Sequence, residues 1–373
     1  MHNKKLIPLI VCLLFLGCYP RFGGVNFIQN DEDWSYFRNS ANGCAGARNE
    51  IDAPLKLRWK FKTGGPIVAS PVIAGNMIFI GSWGRGLYFI NAENGRVVGH
   101  YGFSSSVSST AGVKDGIAYF GEESGESKFL AVDLKSGKVI WQKRIDNFSS
   151  AVLPWENRIY LGSSSGNCLA VDGFSGKIIW QFETKDMIKS SPAIYDSILY
   201  VGSLDKYLYA LNAENGSLLW KYETKASIFS SPAICQNVVY FGSLDSNLYA
   251  LDSRNGKLLW KFKTGGEIHS SPVVADSLVY FGSDDYCVYA LNSFSGNLIW
   301  KFETEGLVRS SPLIVGDKIL FGSFDRNFYA LDSRNGELLW KYKTEGMISS
   351  SAAYYKGKVY IASEDNYLYC FGK

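Results

Sequence analysis

Three histidines, seven cysteines and an aspartate that recurs every 40 residues are the side chains of this 373-residue chain with the most chemistry to offer. The histidines, His2, His100 and His269, lie far apart in the sequence. Cys12 and Cys18 fall in the first apolar stretch, and Cys44, Cys168, Cys235, Cys287 and Cys370 are scattered singly. No C-x-x-C pair exists, which takes away the usual basis of zinc or dithiol chemistry. These five read as small apolar fillers inside strands, and a single disulfide among them is compatible with the sequence. Asp205, Asp245, Asp285, Asp325 and Asp365 could in principle form a ring of carboxylates around a cation. Their identical place in a repeat favours another role, a carboxylate that caps its own tight turn through bonds from backbone N–H groups. No nucleophile elbow, phosphate loop or metal-ligand cluster appears. No catalytic, cofactor-binding or metal-binding residue is therefore assigned, and the chain reads as non-catalytic.

The elements that must position these side chains follow from internal repetition. Trp180, Trp220, Trp260, Trp300 and Trp340 are spaced by 40 residues, and Trp141 lies 39 before Trp180. Trp59 opens the series, and Gly99 holds the Trp position between Trp59 and Trp141, which makes eight registers. Each unit reads as four short strands. In the most regular one, Ser191 to Tyr195 is strand A, Ile198 to Ser203 strand B, Tyr207 to Asn212 strand C and Ser217 to Thr224 strand D. Strand D alternates Trp220 and Tyr222 with Lys221 and Glu223, the charge on the outer face that an edge strand needs. The last unit stops at Phe371 without a Trp strand, while an orphan strand from Lys56 to Phe61 precedes the first unit. The orphan supplies the missing strand. The expected fold is all-β, an eight-bladed β-propeller with four antiparallel strands per blade, its ring closed by the N-terminal strand.

Hydrophobic residues make up 46% and aromatics 15%, ample for a packed interior and against disorder. The formal charge is only +3, with no basic block, so nucleic acid is not the expected partner. The positive start His2 to Lys5 and the apolar run Leu6 to Leu16 read as an export signal, too short to span a bilayer. The run ends in Phe15-Leu16-Gly17-Cys18, which resembles the lipobox of bacterial lipoproteins. That resemblance implies lipidation of Cys18, a membrane tether without a spanning helix, and, with Tyr19 following, the outer membrane. The organisation read from the sequence is thus 1–17 signal peptide, 18–54 tether and lead-in, and 55–373 propeller.

Ala210, Asn212, Gly216 and Trp220, with their copies such as Ala250, Asp252, Gly256 and Trp260, resemble the tryptophan-docking motif of the pyrrolo-quinoline-quinone (PQQ) repeat propellers. In that family the tryptophan packs between neighbouring blades, a role the resemblance gives to Trp59, Trp141, Trp180, Trp220, Trp260, Trp300 and Trp340. Asp33 to Asn39 is similar to the segment that often precedes such propellers. Quinoprotein dehydrogenases share the fold and hold a quinone and calcium in the channel, often beside a disulfide of adjacent cysteines. Adjacent cysteines and long inter-blade insertions are missing here.

Positions that vary inside a repeated frame are free of the fold's demands. One such position precedes each Ser-Ser-Pro start: Val68, Ser108, Ser149, Lys189, Phe229, His269, Arg309 and Ser349. It falls in the D–A loop, expected to share one face with the B–C loops around the channel mouth. Lys189, His269 and Arg309 would give one arc a positive bias with Phe229 among them. Trp83 and Arg85 depart from the pattern in the first blade, as do Glu122, Glu123, Glu126 and Lys128 in the second. The arc reads either as a recognition face for an acidic or extended partner or as a solvated rim that tolerates variation. Lipobox and blades together are similar to the BamB lipoproteins of the β-barrel assembly machinery. That similarity implies a protein-binding scaffold, with Asp186 to Lys189 or Leu307 to Arg309 in the place of that family's contact loop. A propeller sensing a glycan or peptide is the second reading, and a quinone-dependent dehydrogenase-like enzyme, implied by the shared fold, the third.

Overall fold

The computed structural model describes residues 27, 33–44, 50–84, 86–122, 128–145, 147 and 150–373. Cys18 and Arg85, with Glu123, Glu126 and Ser149, lie outside them. Eight four-stranded antiparallel sheets make up the ring. In blade 4, strands A to D run Ala193–Tyr195, Ile198–Gly202, Tyr207–Asn212 and Leu218–Glu223. The A–B turn carries positive φ at both Asp196 (51°) and Ser197 (59°), the backbone twist that suits a two-residue hairpin. Strand A is shorter than the sequence suggests because Ser190, Ser191 and Pro192 are committed elsewhere. Ser190 Oγ accepts from Gly202 N–H at 3.1 Å, and Ser191 N–H donates to Ser231 Oγ of the next blade at 2.9 Å.

That second bond repeats around the ring. Ser231 donates to Ser271, Ser271 to Ser311, Ser311 to Ser351, Ser351 to Ser70, and Ser70 to Thr110. Val152 N–H then reaches Thr110 O, and Ala151 N–H returns to Ser191 Oγ. Backbone donors at the inner edge of seven of the eight blades are thereby satisfied by the neighbouring blade. At the seam the orphan strand, Lys56–Lys62, pairs antiparallel with the last strand, Tyr367–Gly372, so the last blade is completed from both chain ends.

The lead-in runs across one end of the ring. Trp34 O accepts from Ile73 N–H and Ser35 O from Val113 N–H; Ala41 O and Asn42 O accept from Ile194 and Ile234 N–H. These are strand-A donors of blades 1, 2, 4 and 5, so the segment crosses the ring near the A–B turns. Arg38 reaches into the channel, buried, and its Nη1 and Nη2 donate to Pro272 O and Pro232 O, both at 2.7 Å. Burial pushes its guanidinium down to about 9, so it remains a cation at neutral pH. The cysteine expectation is corrected here: Cys44 and Cys235 form a disulfide that staples the lead-in to blade 5, while Cys168, Cys287 and Cys370 are unpaired and buried. Cys44 lies outside the repeat, so the repeat frame does not reveal its partner.

Candidate partner-binding face at the channel mouth

Inter-blade packing holds the loops in place. Trp180, Trp220, Trp260 and Trp300 each donate Nε1–H to a carbonyl in the C–D turn of the next blade, at 2.9 to 3.0 Å. The same carbonyl accepts a strand-B tyrosine: Ser253 O takes both Trp220 and Tyr200. The glycine of that turn has positive φ and lies against the indole; a Cβ on Gly216 would stand 2.6 Å from Trp180. Trp340 faces a last blade that has no C–D turn, and it packs edge-on against Phe371 instead. Trp59 lies against Gly95, but its Nε1 has no hydrogen-bond partner among the described residues.

The recurring aspartates are turn residues that also stitch blades together. Asp245 accepts Asn247 N–H within its own turn, Tyr249 Oη–H at 2.6 Å, and Lys225 N–H from the end of the preceding strand D at 3.0 Å. Burial alone would raise its pKa, but these bonds outweigh it and hold the carboxyl below the usual range.

Along most of the ring the D–A loop meets the B–C loop of the blade it enters. Leu204 N–H donates to Met187 O, and the same bond recurs as Leu244 to Ser227, Asp284 to Glu267, Phe324 to Leu307 and Glu364 to Met347. The two loop sets therefore share one face. Lys189, Phe229, His269 and Arg309 lie on it half-buried, and Trp83 is 51% exposed there. Phe229 and His269 are brought together, their ring centroids 5.0 Å apart. Arg309 grips Asp284 through Nη2 at 2.7 Å and Nε at 3.1 Å and lies over the Phe324 ring. His269 Nε2 stands 3.1 Å from Glu267 and 3.6 Å from Asp284. The positive bias expected of this arc is thus offset on blades 6 and 7 by two carboxylates. Burial, then the Arg309 charge, lowers the His269 pKa against the pull of Asp284 and Glu267. In blade 2, Glu122 is fully buried and accepts Ser104 Oγ–H at 2.6 Å, a structural role inside the loop.

Asp284 and Glu267 are the residues the sequence reading missed. The position before each recurring aspartate varies, as Leu204, Leu244, Asp284, Phe324 and Glu364, but only the fold brings Asp284 against Glu267 and His269.

The family model for outer membrane protein assembly factor BamB matches residues 51–152, 148–269 and 245–371. A search of the curated proteins finds no match. Among solved structures, BamB from Moraxella catarrhalis is similar with a TM-score of 0.74 at 17% identity, covering 86% of this chain and all of that one. Europium-containing methanol dehydrogenase is similar with a TM-score of 0.79 at 13% identity, covering 92% of this chain and 98% of that one. A quinohemoprotein alcohol dehydrogenase from Pseudomonas putida has the same TM-score and identity, over 91% and 80% of the chains. At such identities these structures share the fold alone, and fold does not carry function. In this chain Arg38 of the lead-in bonds Pro272 O and Pro232 O, and the disulfide joins Cys44 to Cys235 rather than adjacent cysteines. With three matches that together span the blades, this chain belongs to the family of outer membrane protein assembly factor BamB.

Proposed function

We propose that this protein is an exported, non-catalytic scaffold, lipid-anchored at Cys18 on the periplasmic side of the outer membrane, which holds an envelope protein against its channel mouth in support of β-barrel assembly. The observation that carries the reading is the mouth itself. Blades alike in nearly every framework position differ there, presenting Trp83, Lys189, Phe229 and the His269–Arg309 cluster on one face. Aromatic and arginine side chains are the ones protein interfaces favour. The lead-in covers the other end, which leaves the mouth as the end built from variable side chains. No described helix is long and apolar enough to cross a membrane, and the expected tether is the Cys18 lipid.

The test is co-purification from gently solubilised native membranes, comparing wild type with a Trp83→Ala/Lys189→Glu variant. Recovery of a β-barrel-inserting outer-membrane protein that the variant loses is the expected result. Recovery of no protein partner would overturn the reading and favour a glycan- or peptide-sensing propeller.

A further inference from the structure

The mouth is not uniform: blade 6 alone carries three metal-ligating side chains at positions where its neighbours have none or one. The D–A loop position bonded to the B–C loop is Met187, Ser227, Leu307 and Met347 elsewhere and Glu267 here. The position two residues on is Lys189, Phe229, Arg309 and Ser349 elsewhere and His269 here. The B–C partner is Leu204, Leu244, Phe324 and Glu364 elsewhere and Asp284 here. Since the four neighbours fold with the same backbone bonds, the propeller does not require these three polar groups.

We infer that Glu267, His269 and Asp284 form a divalent transition-metal site at the channel mouth. One ligand atom from each lies within 4.8 Å of the other two. The His269 separations, 3.1 Å to Glu267 Oε2 and 3.6 Å to Asp284 Oδ2, match donors about 2.0–2.2 Å from a common centre at tetrahedral to octahedral angles. An imidazole beside two carboxylates favours zinc, cobalt or nickel over calcium or magnesium, which prefer oxygen alone. Arg309 has the place of an outer-shell partner. Its Nε bonds Asp284 Oδ1 at 3.1 Å and its Nη2 bonds Oδ2 at 2.7 Å, so it orients the carboxylate, and an ion at Oδ2 takes that oxygen's second lone pair or displaces Nη2. Asp284 and His269 are sunken, their side chains 11% and 15% exposed, whereas Glu267 is half exposed. The ion would therefore keep an open side for water or for a donor group of the partner.

The test uses the untagged full chain in detergent, with His2 and His100 replaced by Gln so that His269 is the only histidine. Cobalt(II) is titrated while its visible d–d absorption is followed. One cobalt per chain is expected, with affinity weakened at least ten- to a hundred-fold, as an order of magnitude, in His269→Gln and in Asp284→Asn. Unchanged thermal melting without metal keeps a loss of binding separate from a loss of fold. Equal binding by His269→Gln, or no d–d band at millimolar cobalt, would overturn the assignment. Neither result bears on whether the mouth holds a protein.

Discussion

The carbonyl oxygen of Ser293 shows how much of the ring rests on single atoms. It accepts from Trp260 Nε1 and Tyr240 Oη, both in the preceding blade. Trp260→Ala is expected to cost about 3–5 kcal/mol in a denaturant titration, through lost packing against the neighbour and a lost hydrogen bond. The seam differs. Trp59 Nε1 has no partner among the described residues, so Trp59→Phe should cost less than Trp260→Phe; equal costs would contradict the seam geometry. The aspartates set a pH dependence. The carboxyl of Asp245 is depressed in the folded state, so its contribution is complete above about pH 4 and is lost as pH falls through the folded value. Wild type should destabilise on acidification more steeply than Asp245→Asn, as chemical denaturation at stepped pH would show. The turn role of these aspartates and the inter-blade tryptophans were legible in the sequence because copies at a fixed period can be compared with one another. Asp284 was not, since its significance depends on a loop from elsewhere in the chain lying against it.

Among the elements, the lead-in is the one the repeat could not describe. Residues from Trp34 to Cys44 supply carbonyls to four blades and a cation to two more carbonyls, then end in a disulfide to Cys235. A cross-link between residues 191 positions apart constrains the unfolded chain strongly. Cys44→Ser should therefore destabilise by about 2–4 kcal/mol and make the lead-in sensitive to limited proteolysis. Identical melting with and without a thiol reductant would show that the staple does not hold this element. The blade strands themselves were readable to within a residue or two from alternation and turn residues. Strand A starts late because Ser191 N–H serves the neighbouring blade rather than its own ladder. Blade 7 also differs at the seam: it carries Leu320 where blades 3 to 6 and 8 place a bonding tyrosine and blade 1 has Phe79, and the blade it faces has no C–D turn carbonyl to accept one.

At the scale of the whole molecule, the ring has two unlike ends. The A–B and C–D turns form one, crossed by the lead-in and rimmed by the exposed Phe174 and Phe294. The D–A and B–C loops form the other, where the copies diverge. We propose that this second end holds a protein. The most direct measurement is site-specific photo-crosslinking in intact cells, with the reactive residue placed in turn at Trp83, Lys189 and Phe229, and at Phe174 and Phe294 on the opposite rim. Adducts to one envelope protein from the first three positions and none from the last two are the predicted result. Adducts confined to the opposite rim, or none from either end, would contradict the claim.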